Sequence, residues 1–289
     1  MQNSQPVRCG TIAIIGRPNV GKSTLLNKIL GEKLSITSAK PQTTRQQIIG
    51  IKTRENIQWI YIDTPGLHQQ TRRRLSREMV RDAMSALTKV DVIGFVVEAG
   101  RWTSEDEAIL ERLKRQAQPV VLILNKVDKI KDKTRLLPFL AACSEKMAFL
   151  AIIPLSAQKG DNVVELEKTV AERLPIADFS YPADQFTNHS QGFLVAEFIR
   201  EKLIRALHKE IPYQLTVVIE QFEEQAKLIK INAVILAERP GQKAIIIGKK
   251  GALLKKIGTD ARLDIQRCFG KKIYLNLWVK VKAESSKEH

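Results

Sequence analysis

The sequence predicts two domains: an α/β domain built on a mixed, mostly parallel sheet, followed by a smaller α+β domain. Apolar, strand-like runs alternate with amphipathic helical stretches up to residue 174, which is typical of a doubly wound sheet with helices on both faces. Residues 175–190 are proline-bearing, polar and aperiodic. Beyond them the order changes to helix, strand, strand, helix, helix and strand, so we expect a second domain with its own core.

The elements follow in chain order from these patterns. Apolar runs in the first domain predict strands at residues 11–15, 48–52, 57–62, 92–97, 120–124 and 150–155. Helical spacing predicts helices at residues 24–30, 104–116, 133–147 and 162–173, together with a basic helix around residues 72–81. Ser104 and Glu107 have the spacing of a capping box.

In the second domain we expect a helix at residues 193–209, strands at 214–222, 227–238 and 272–281, and two helices around residues 248–251. We place the two domains at residues 1–176 and 192–283, with a linker at 177–191 and a disordered tail at 284–289.

The charge distribution indicates a polyanionic partner. The 289 residues include 47 Lys and Arg against 31 Asp and Glu, a net charge of +16. Residues 239–282 hold 12 basic and only 2 acidic residues, whereas residues 178–238 hold 6 basic and 9 acidic ones. This concentration predicts nucleic acid as the first partner and an anionic membrane surface as the second.

The cysteine content and the length of the apolar runs indicate the cellular compartment of the protein. Cys9, Cys143 and Cys268 are too few and too far apart for a disulfide framework or a zinc site. Residues 1–8 lack the apolar segment of a signal peptide, and no apolar run approaches the roughly 18 residues of a spanning helix. We therefore expect a soluble, cytoplasmic protein, for which peripheral association with the inner face of the cell membrane stays open. We also expect a monomer.

A phosphate-binding motif joins the first predicted strand to the first helix. Residues 16–23 match G-x-x-x-x-G-K-[ST] in the strand–loop–helix context that the mechanism requires. Glycines let the backbone approach phosphate, and the helix N-terminus favours an anion. We expect Lys22 to reach the outer phosphates and Ser23 to bind Mg²⁺. The predicted phosphate-binding residues are Gly16, Arg17, Pro18, Asn19, Val20, Gly21, Lys22, Ser23 and Thr24.

Downstream motifs at the ends of three predicted strands select a guanine nucleotide. Asp63-Thr64-Pro65-Gly66 supplies a carboxylate for Mg²⁺ and, at Gly66, a backbone N–H for the γ-phosphate. In Asn125-Lys126-Val127-Asp128, the Asp128 carboxylate can accept both N1–H and N2–H₂ of guanine, a pattern that adenine lacks.

The other residues of these motifs complete the predicted base site. Asn125 would tie its loop to the phosphate loop and to the base O6, and the stem of Lys126 would cover the base plane. Ser156-Ala157 follows the last strand, where a backbone N–H can donate to O6.

In order and approximate spacing, these motifs resemble those of the TrmE-Era-type GTPases, a family of translation-factor-related G domains. The resemblance covers nearly the whole chain and implies a P-loop G domain that hydrolyses GTP to GDP and phosphate with Mg²⁺. Residues 41–45 match the family's Pro-x-Thr-Thr-Arg loop, so Thr44, with Thr43 as the second candidate, is expected to bind Mg²⁺ and sense the γ-phosphate. The implied catalytic residues are Asn19, Lys22, Thr44 and Gly66.

Two positions depart from the Ras-type pattern. Leu67 stands where a glutamine orients the attacking water, so we expect low intrinsic turnover. Asn19 stands where Ras-like proteins have a glycine, and similar GTPases use this asparagine to coordinate K⁺, which implies K⁺-stimulated hydrolysis. An RNA-binding module with a regulatory, nearly non-hydrolysing GTP site is the alternative.

A G-x-x-G loop, Gly248-Lys249-Lys250-Gly251, lies between the two later helices. In KH domains this loop clamps the backbone of about four single-stranded nucleotides, and the α-β-β-α-α-β order fits the type II arrangement. The predicted RNA-binding residues are Ile247, Gly248, Lys249, Lys250, Gly251, Leu254 and Lys255. The family resemblance implies 16S ribosomal RNA near its 3′ end as the target, and a role in maturation of the small (30S) ribosomal subunit.

A further basic cluster follows the Asp63 motif. It comprises Arg72, Arg73, Arg74, Arg77 and Arg81. Two interpretations stay open: a solvated helix face, or an RNA or ribosome contact that responds to the bound nucleotide.

Overall fold

The computed structural model describes residues 6–37, 47–63, 87–207 and 215–282. The chain divides into two compact units, Met1–Asn188 and His189–His289. The division falls inside the predicted linker at residues 177–191. The first unit is an α/β unit and the second an α+β unit, so the predicted fold class is confirmed.

The first unit is organised around a six-stranded sheet of order β2-β3-β1-β4-β5-β6. Among its described strands, β2 alone runs antiparallel to its neighbour; the other pairs are parallel. All six residues of β5 are buried, as expected where helices cover both faces of a parallel sheet. The strands are β1 (Arg8–Ile15), β2 (Ile48–Arg54), β3 (Ile57–Asp63), β4 (Val92–Glu98), β5 (Val120–Asn125) and β6 (Ala151–Leu155).

Helices connect these strands, and the described ones are α1 (Lys22–Leu30), α2 (Ser104–Leu113), α3 (Leu136–Ser144) and α4 (Val163–Ala171). The predicted helix at residues 133–147 begins instead with a separate 3₁₀ turn, Lys133–Arg135. Because β1, β3, β5 and β6 are parallel, their carboxyl ends share one edge of the sheet. Ligands of such sheets bind at this edge, and the predicted nucleotide motifs lie there.

The predicted capping box at the start of α2 is wrong by one residue. Thr103, with extended backbone, is the N-cap, and its hydroxyl accepts a hydrogen bond from the Asp106 backbone N–H at 3.4 Å. The Asp106 carboxylate in turn accepts from the Thr103 N–H at 2.9 Å. Glu107 instead accepts from the indole N–H of Trp102 and from Lys146, at 2.6 and 2.9 Å.

Much of the predicted linker is hydrogen-bonded to the first unit. The buried Gln58 on β3 accepts at Oε1 from the backbone N–H groups of Ser180 and Tyr181, at 2.9 and 3.0 Å. The Ile51 N–H on β2 donates to the Phe186 carbonyl at 2.8 Å. The chain after β6 and α4 therefore returns along the β2–β3 edge.

The second unit has the predicted α-β-β-α-α-β order. Its elements are α5 (Gln191–Ala206), β7 (Thr216–Glu224), β8 (Leu228–Ala237), α6 (Pro240–Ile247), α7 (Ala252–Phe269) and β9 (Lys272–Val281). Strand β8 pairs antiparallel with β7 and parallel with β9, and the alternate residues of β8 that are buried include Ile229, Ile231 and Ile235. Helices α5 and α7 pack against each other. Among the described residues, no helix has the length and apolarity needed to cross a membrane.

Candidate nucleotide site and nucleic-acid interface

The phosphate loop runs from the end of β1 to the start of α1 in a backbone conformation that requires glycine. Gly16 has φ 152° and Gly21 has φ 103°. A Cβ atom at Gly16 would lie 2.3 Å from the Val96 carbonyl oxygen, and one at Gly21 would lie 2.3 Å from Asn125 Nδ2. Asn19 has φ 64°, a left-handed conformation that asparagine tolerates better than most residues. The loop is therefore shaped by the neighbouring strands as well as by any ligand.

Lys22 begins α1 and is only 7% exposed. Its ammonium donates to the carbonyl oxygens of Gly16 and Arg17, at 2.9 and 3.0 Å, so the side chain lies back across the loop. Burial lowers the pKa of Lys22 from 10.5 to about 8, against an opposing attraction to Asp63 and with a further lowering by Arg17. A poorly solvated cation in this position is well placed to attract an anion.

Asp63 ends β3 and is completely buried. Its Oδ2 accepts hydrogen bonds from the hydroxyls of Ser23, at 2.9 Å, and Ser35, at 2.7 Å. The structure thus brings the two predicted Mg²⁺ residues together. Hydroxyl and carboxylate oxygens are ligands that Mg²⁺ prefers.

Ser35 was not predicted as a site residue, and Asn27 on α1 holds it in place. The Asn27 Nδ2 donates to the Ser35 carbonyl at 2.6 Å, and its Oδ1 accepts from the Ser35 N–H at 2.8 Å. No short sequence motif marks this pair, because the contact joins a helix to the loop that follows it.

Asn125, at the end of β5, joins three loops of the site. Its Nδ2 donates to the Val20 carbonyl at 2.8 Å, which is the predicted tie to the phosphate loop. Its Oδ1 accepts from the backbone N–H groups of Lys126 and Ala157, at 2.7 and 2.9 Å. Of the backbone N–H groups at Ser156-Ala157 that the sequence offered for guanine O6, the one of Ala157 is thus bonded to Asn125 in this structure.

Asp128 and Ser156 meet across two of these loops. The Ser156 hydroxyl donates to Asp128 Oδ1 at 2.6 Å and accepts from the Lys159 N–H at 3.1 Å. Ser156 is completely buried, so the half-buried Asp128 carboxylate is held in one orientation. An oriented carboxylate suits the predicted reading of the guanine N1–H and N2–H₂ groups.

Charged side chains outside the motifs support the same loops. The Arg17 guanidinium forms ion pairs with Asp106, at 3.1 Å, and with Glu98, at 3.4 Å. Lys126 also pairs with Glu98, at 2.9 Å. Burial raises the pKa of Glu98, but hydrogen bonds and attraction from Lys126 and Arg17 outweigh it and hold the pKa below 4.5. Sequence reasoning missed Glu98 and Asp106.

Several predicted residues lie outside the described ranges. These are Thr43, Thr44, Gly66, Leu67, Arg72, Arg73, Arg74, Arg77 and Arg81. Their predicted roles in Mg²⁺ binding, γ-phosphate contact, turnover and nucleotide sensing stay predictions.

The G-x-x-G loop of the second unit also depends on glycine backbone. Gly248 has φ 72° and ψ 178°, and a Cβ there would lie 2.7 Å from Leu253 Cβ. Gly251 has φ 77° and caps the N-terminus of α7. Lys249 and Lys250 between them are exposed to solvent. The loop therefore presents two cations on a backbone turn at a helix N-terminus.

A cleft of about 360 Å³ extends from this loop along α7 and β9. It is lined by Gly251, Leu254, Lys255, Gly258, Thr259, Arg262, Leu275 and Leu277. Of the predicted RNA contacts, Gly251, Leu254 and Lys255 line the cleft, whereas the other four do not. Helical spacing from residue 251 could have found Gly258, Thr259 and Arg262, because they lie on the same helix face.

Together, the fold and the loops define a P-loop GTPase that carries a KH domain. Residues 11–126 match the model of a family described as 50S ribosome-binding GTPase, and residues 210–286 match the KH domain model.

Comparison with known proteins then gives the family. GTPase Era of Pseudomonas fluorescens (strain Pf0-1) is 52% identical over 282 residues, covering 98% of this chain and 94% of the relative. A crystal structure of an Aquifex aeolicus Era variant bound to GDP.AlF4− is 37% identical, with a TM-score of 0.90 and coverage of 96% and 95%. Era in complex with MgGDPNP and nucleotides 1506–1542 of 16S ribosomal RNA is 38% identical, with the same TM-score and coverage.

The chain therefore belongs to the Era family of GTPases. The resemblance stated from the sequence is confirmed, and so is the enzyme class, GTPase. Family membership favours this enzyme over the alternative of an RNA-binding module with a regulatory, nearly non-hydrolysing GTP site.

Proposed function

We propose that this GTPase is a switch that binds single-stranded 16S ribosomal RNA near its 3′ end and assists maturation of the small ribosomal subunit. One observation carries the proposal. An Era structure that matches 96% of this chain with a TM-score of 0.90 contains both MgGDPNP and nucleotides 1506–1542 of 16S ribosomal RNA. Binding of GTP would order the loops around Thr44 and Gly66, and hydrolysis would release them.

The geometry of the first unit supports a guanine-nucleotide site at the carboxyl edge of its sheet. Asp128, held by Ser156, would accept from guanine, and the stem of Lys126 would cover the base. Lys22 would exchange its bonds to loop carbonyls for bonds to the outer phosphates. The phosphate loop would supply backbone N–H groups from its glycine-containing turn.

Ser23 and Asp63 fit Mg²⁺, because a hydroxyl and a carboxylate of the preferred type already lie 2.9 Å apart. Thr44 would add a third protein oxygen in the GTP-bound state. Bound Mg²⁺ neutralises charge that develops on the phosphate oxygens.

We assign K⁺ to Asn19, whose left-handed backbone sets it within the phosphate loop. A K⁺ ion would supply positive charge that an arginine finger provides elsewhere. Hydrolysis should therefore be faster in K⁺ than in Na⁺ buffer. Equal turnover in the two buffers, with and without RNA, would contradict the assignment.

The second unit would hold RNA in the cleft along α7. Lys249 and Lys250 would contact phosphates next to Gly248 and Gly251, as in the G-x-x-G loops of KH domains. The apolar floor from Leu275 and Leu277 suits bases, and the rim cations Lys255 and Arg262 suit the backbone. Affinity should fall with salt, because each phosphate contact releases counterions.

A binding assay tests the proposal. Fluorescence anisotropy with a labelled oligonucleotide of the 16S 3′ end should show tighter binding than with a scrambled oligonucleotide. Replacing Lys249 and Lys250 with Ala should weaken binding roughly tenfold, which is the size of losing charged hydrogen bonds. The matched control replaces two exposed lysines of the first unit, Lys131 and Lys133, and should bind as the wild type.

Equal binding of both oligonucleotides, or equal loss in both variants, would contradict RNA recognition by the KH loop. Co-sedimentation with purified 30S and 50S subunits then distinguishes the small subunit, which we propose, from the large subunit. A monomer, a cytoplasmic location and peripheral membrane contact stay predictions, which gel filtration and cell fractionation can test.

A further inference from the structure

Glu98 lies at the end of β4, between two loops of the nucleotide site. Its Oε2 atom is 2.9 Å from the Lys126 ammonium and 3.4 Å from the Arg17 guanidinium. Arg17 belongs to the phosphate loop, whereas Lys126 belongs to the loop assigned to the base. A single carboxylate oxygen therefore contacts both ends of the nucleotide site.

Arg17 is held from its other side by Asp106. Its Nε lies 3.1 Å from Asp106 Oδ2, and the same oxygen accepts from the backbone N–H and hydroxyl of Thr103, at 2.9 and 2.7 Å. The Asp106 side chain is completely buried at the start of α2. The rigid start of α2 thus anchors a series of contacts that runs from Asp106 through Arg17 and Glu98 to Lys126.

The side chains of Arg17, Glu98 and Lys126 in this series of contacts are shielded from solvent. Side-chain exposure is 10% for Arg17, 24% for Glu98 and 21% for Lys126. Ion pairs between exposed side chains contribute little, because water and salt screen them, but partly buried pairs are screened less. The contacts can therefore restrict the two cationic side chains before any nucleotide binds.

We propose that Glu98 is a positioning residue that couples the phosphate loop to Lys126 and holds the free protein ready for guanine nucleotide. The inference rests on the proposed function, in which the Lys126 stem covers the base. Lys126 has a left-handed backbone, with φ 68°, and a flexible side chain that must lose rotamer freedom when the base is covered. Fixing its ammonium at Glu98 in advance reduces that entropic cost of binding.

The test compares the affinities of the full-length wild type and Glu98→Gln for GDP and IDP. Glutamine keeps the size of the side chain and removes its charge. We expect the affinity for both nucleotides to fall about tenfold, which corresponds to the cost of ordering one rotamer-rich side chain on binding. The ratio of GDP to IDP affinity should stay constant, because Asp128, which reads the N2 amino group missing from IDP, is not displaced.

A double-mutant cycle with Lys126→Met isolates the coupling. Methionine keeps an apolar stem without the ammonium, so Glu98→Gln should lose much less affinity in this background, where only the Arg17 contact remains to be lost. A tenfold loss in both backgrounds, or a changed GDP to IDP ratio in Glu98→Gln, would overturn the proposal. Should Glu98→Gln fail to fold, Glu98→Asp provides the second variant, because its shorter side chain keeps the charge but cannot reach both loops.

Glu111→Gln is the matched control. Glu111 lies on the exposed side of α2, where it pairs with Lys114 at 2.7 Å, and its replacement makes the same change in charge. This variant should bind GDP as the wild type does. A wild type that did not prefer GDP over ADP would refute the proposed site itself. A clear GDP preference with Glu98→Gln at wild-type affinity would refute only the role of Glu98.

Discussion

The two ligand sites of this protein are built in different ways. In the nucleotide site the central polar side chains are buried and hydrogen-bonded to backbone groups or neighbouring hydroxyls, with Lys22, Asp63 and Asn125 exposed by 7%, 0% and 2%. In the KH loop the cations Lys249 and Lys250 are exposed, and the glycine backbone gives the loop its shape.

The difference follows from the ligands. A guanine nucleotide is small and carries a fixed pattern of donors and acceptors, so a site that is already desolvated and oriented can discriminate strongly. A single-stranded RNA offers many similar phosphates, so exposed charge and close backbone approach supply most of the attraction. Substitutions that change the hydrogen-bonding pattern should therefore lower affinity most in the nucleotide site. Substitutions that change charge should lower affinity most in the KH loop.

Asp128→Asn should have the largest effect. The affinity for GDP should fall by a factor on the order of 100 or more, because an amide cannot accept from both N1–H and N2–H₂. Affinity for xanthosine diphosphate should rise, since the amide N–H₂ can donate to the xanthine O2. Asparagine can still accept from Ser156, so the fold should persist. The measurement is a competition titration with both nucleotides.

Asp132→Asn serves as its control, because the partners of this exposed carboxylate among the described residues are its near neighbours in sequence, Thr134 and Arg135. Unchanged GDP affinity in Asp128→Asn would remove Asp128 from the base site.

Gly251→Asp should have the next largest effect, on RNA binding alone. Apart from its immediate neighbours along the chain, nothing described lies within 4 Å of a Cβ placed at Gly251, so the added side chain meets open space. Its negative charge next to phosphate should weaken RNA binding roughly thirtyfold, since like charges repel strongly at a contact. GTP binding should be unchanged. Electrophoretic mobility shift and nucleotide titration on the same preparation measure both.

Gly251→Asn provides a control of equal size. Asparagine tolerates φ 77° about as well as aspartate and carries no charge. It should keep most of the RNA affinity, so equal losses in the two variants would indicate backbone strain rather than charge repulsion.

The sequence predicted what is local in the chain. The phosphate loop, residues 125–128 and residues 248–251 are contiguous motifs, and the order of strands and helices follows from apolar periodicity. It could not predict that Ser35 donates to Asp63, 28 residues away, or that Arg17 pairs with Asp106, because such contacts depend on how separate elements pack. The N-cap of α2 was predicted one residue too late, at Ser104 instead of Thr103, because both residue types are good N-caps.

The pKa of Lys22 predicts a pH dependence of GDP binding. Burial lowers this pKa to about 8 in the free protein, and bound phosphates should raise it again. GDP binding should therefore take up a proton above pH 8, and affinity should fall about tenfold between pH 7 and pH 9. The effect on folding has the opposite sign. Between pH 8 and 10.5 the unfolded chain holds this proton and the folded chain does not, so the cost that burial of Lys22 adds to folding decreases as pH rises.

Calorimetry in two buffers of different ionisation enthalpy measures the proton uptake. The arginine in Lys22→Arg stays protonated at pH 9, so the pH dependence of GDP binding in this variant reports the titration of the nucleotide itself. The same pH profile in both proteins would mean that Lys22 does not titrate in this range.

Ser35→Ala should have the smallest effect, and a specific one. The Asp63 carboxylate would keep its bond from Ser23 and lose the one from Ser35, at a cost of ~1 kcal/mol. Because Asp63 would then be less well oriented for Mg²⁺, the Mg²⁺ concentration for half-maximal GTP hydrolysis should rise about fivefold. Ser144→Ala, which removes an exposed hydroxyl bonded to the Ala141 carbonyl, should leave that concentration unchanged. A wild-type Mg²⁺ requirement in Ser35→Ala would show that Ser23 alone suffices to orient Asp63.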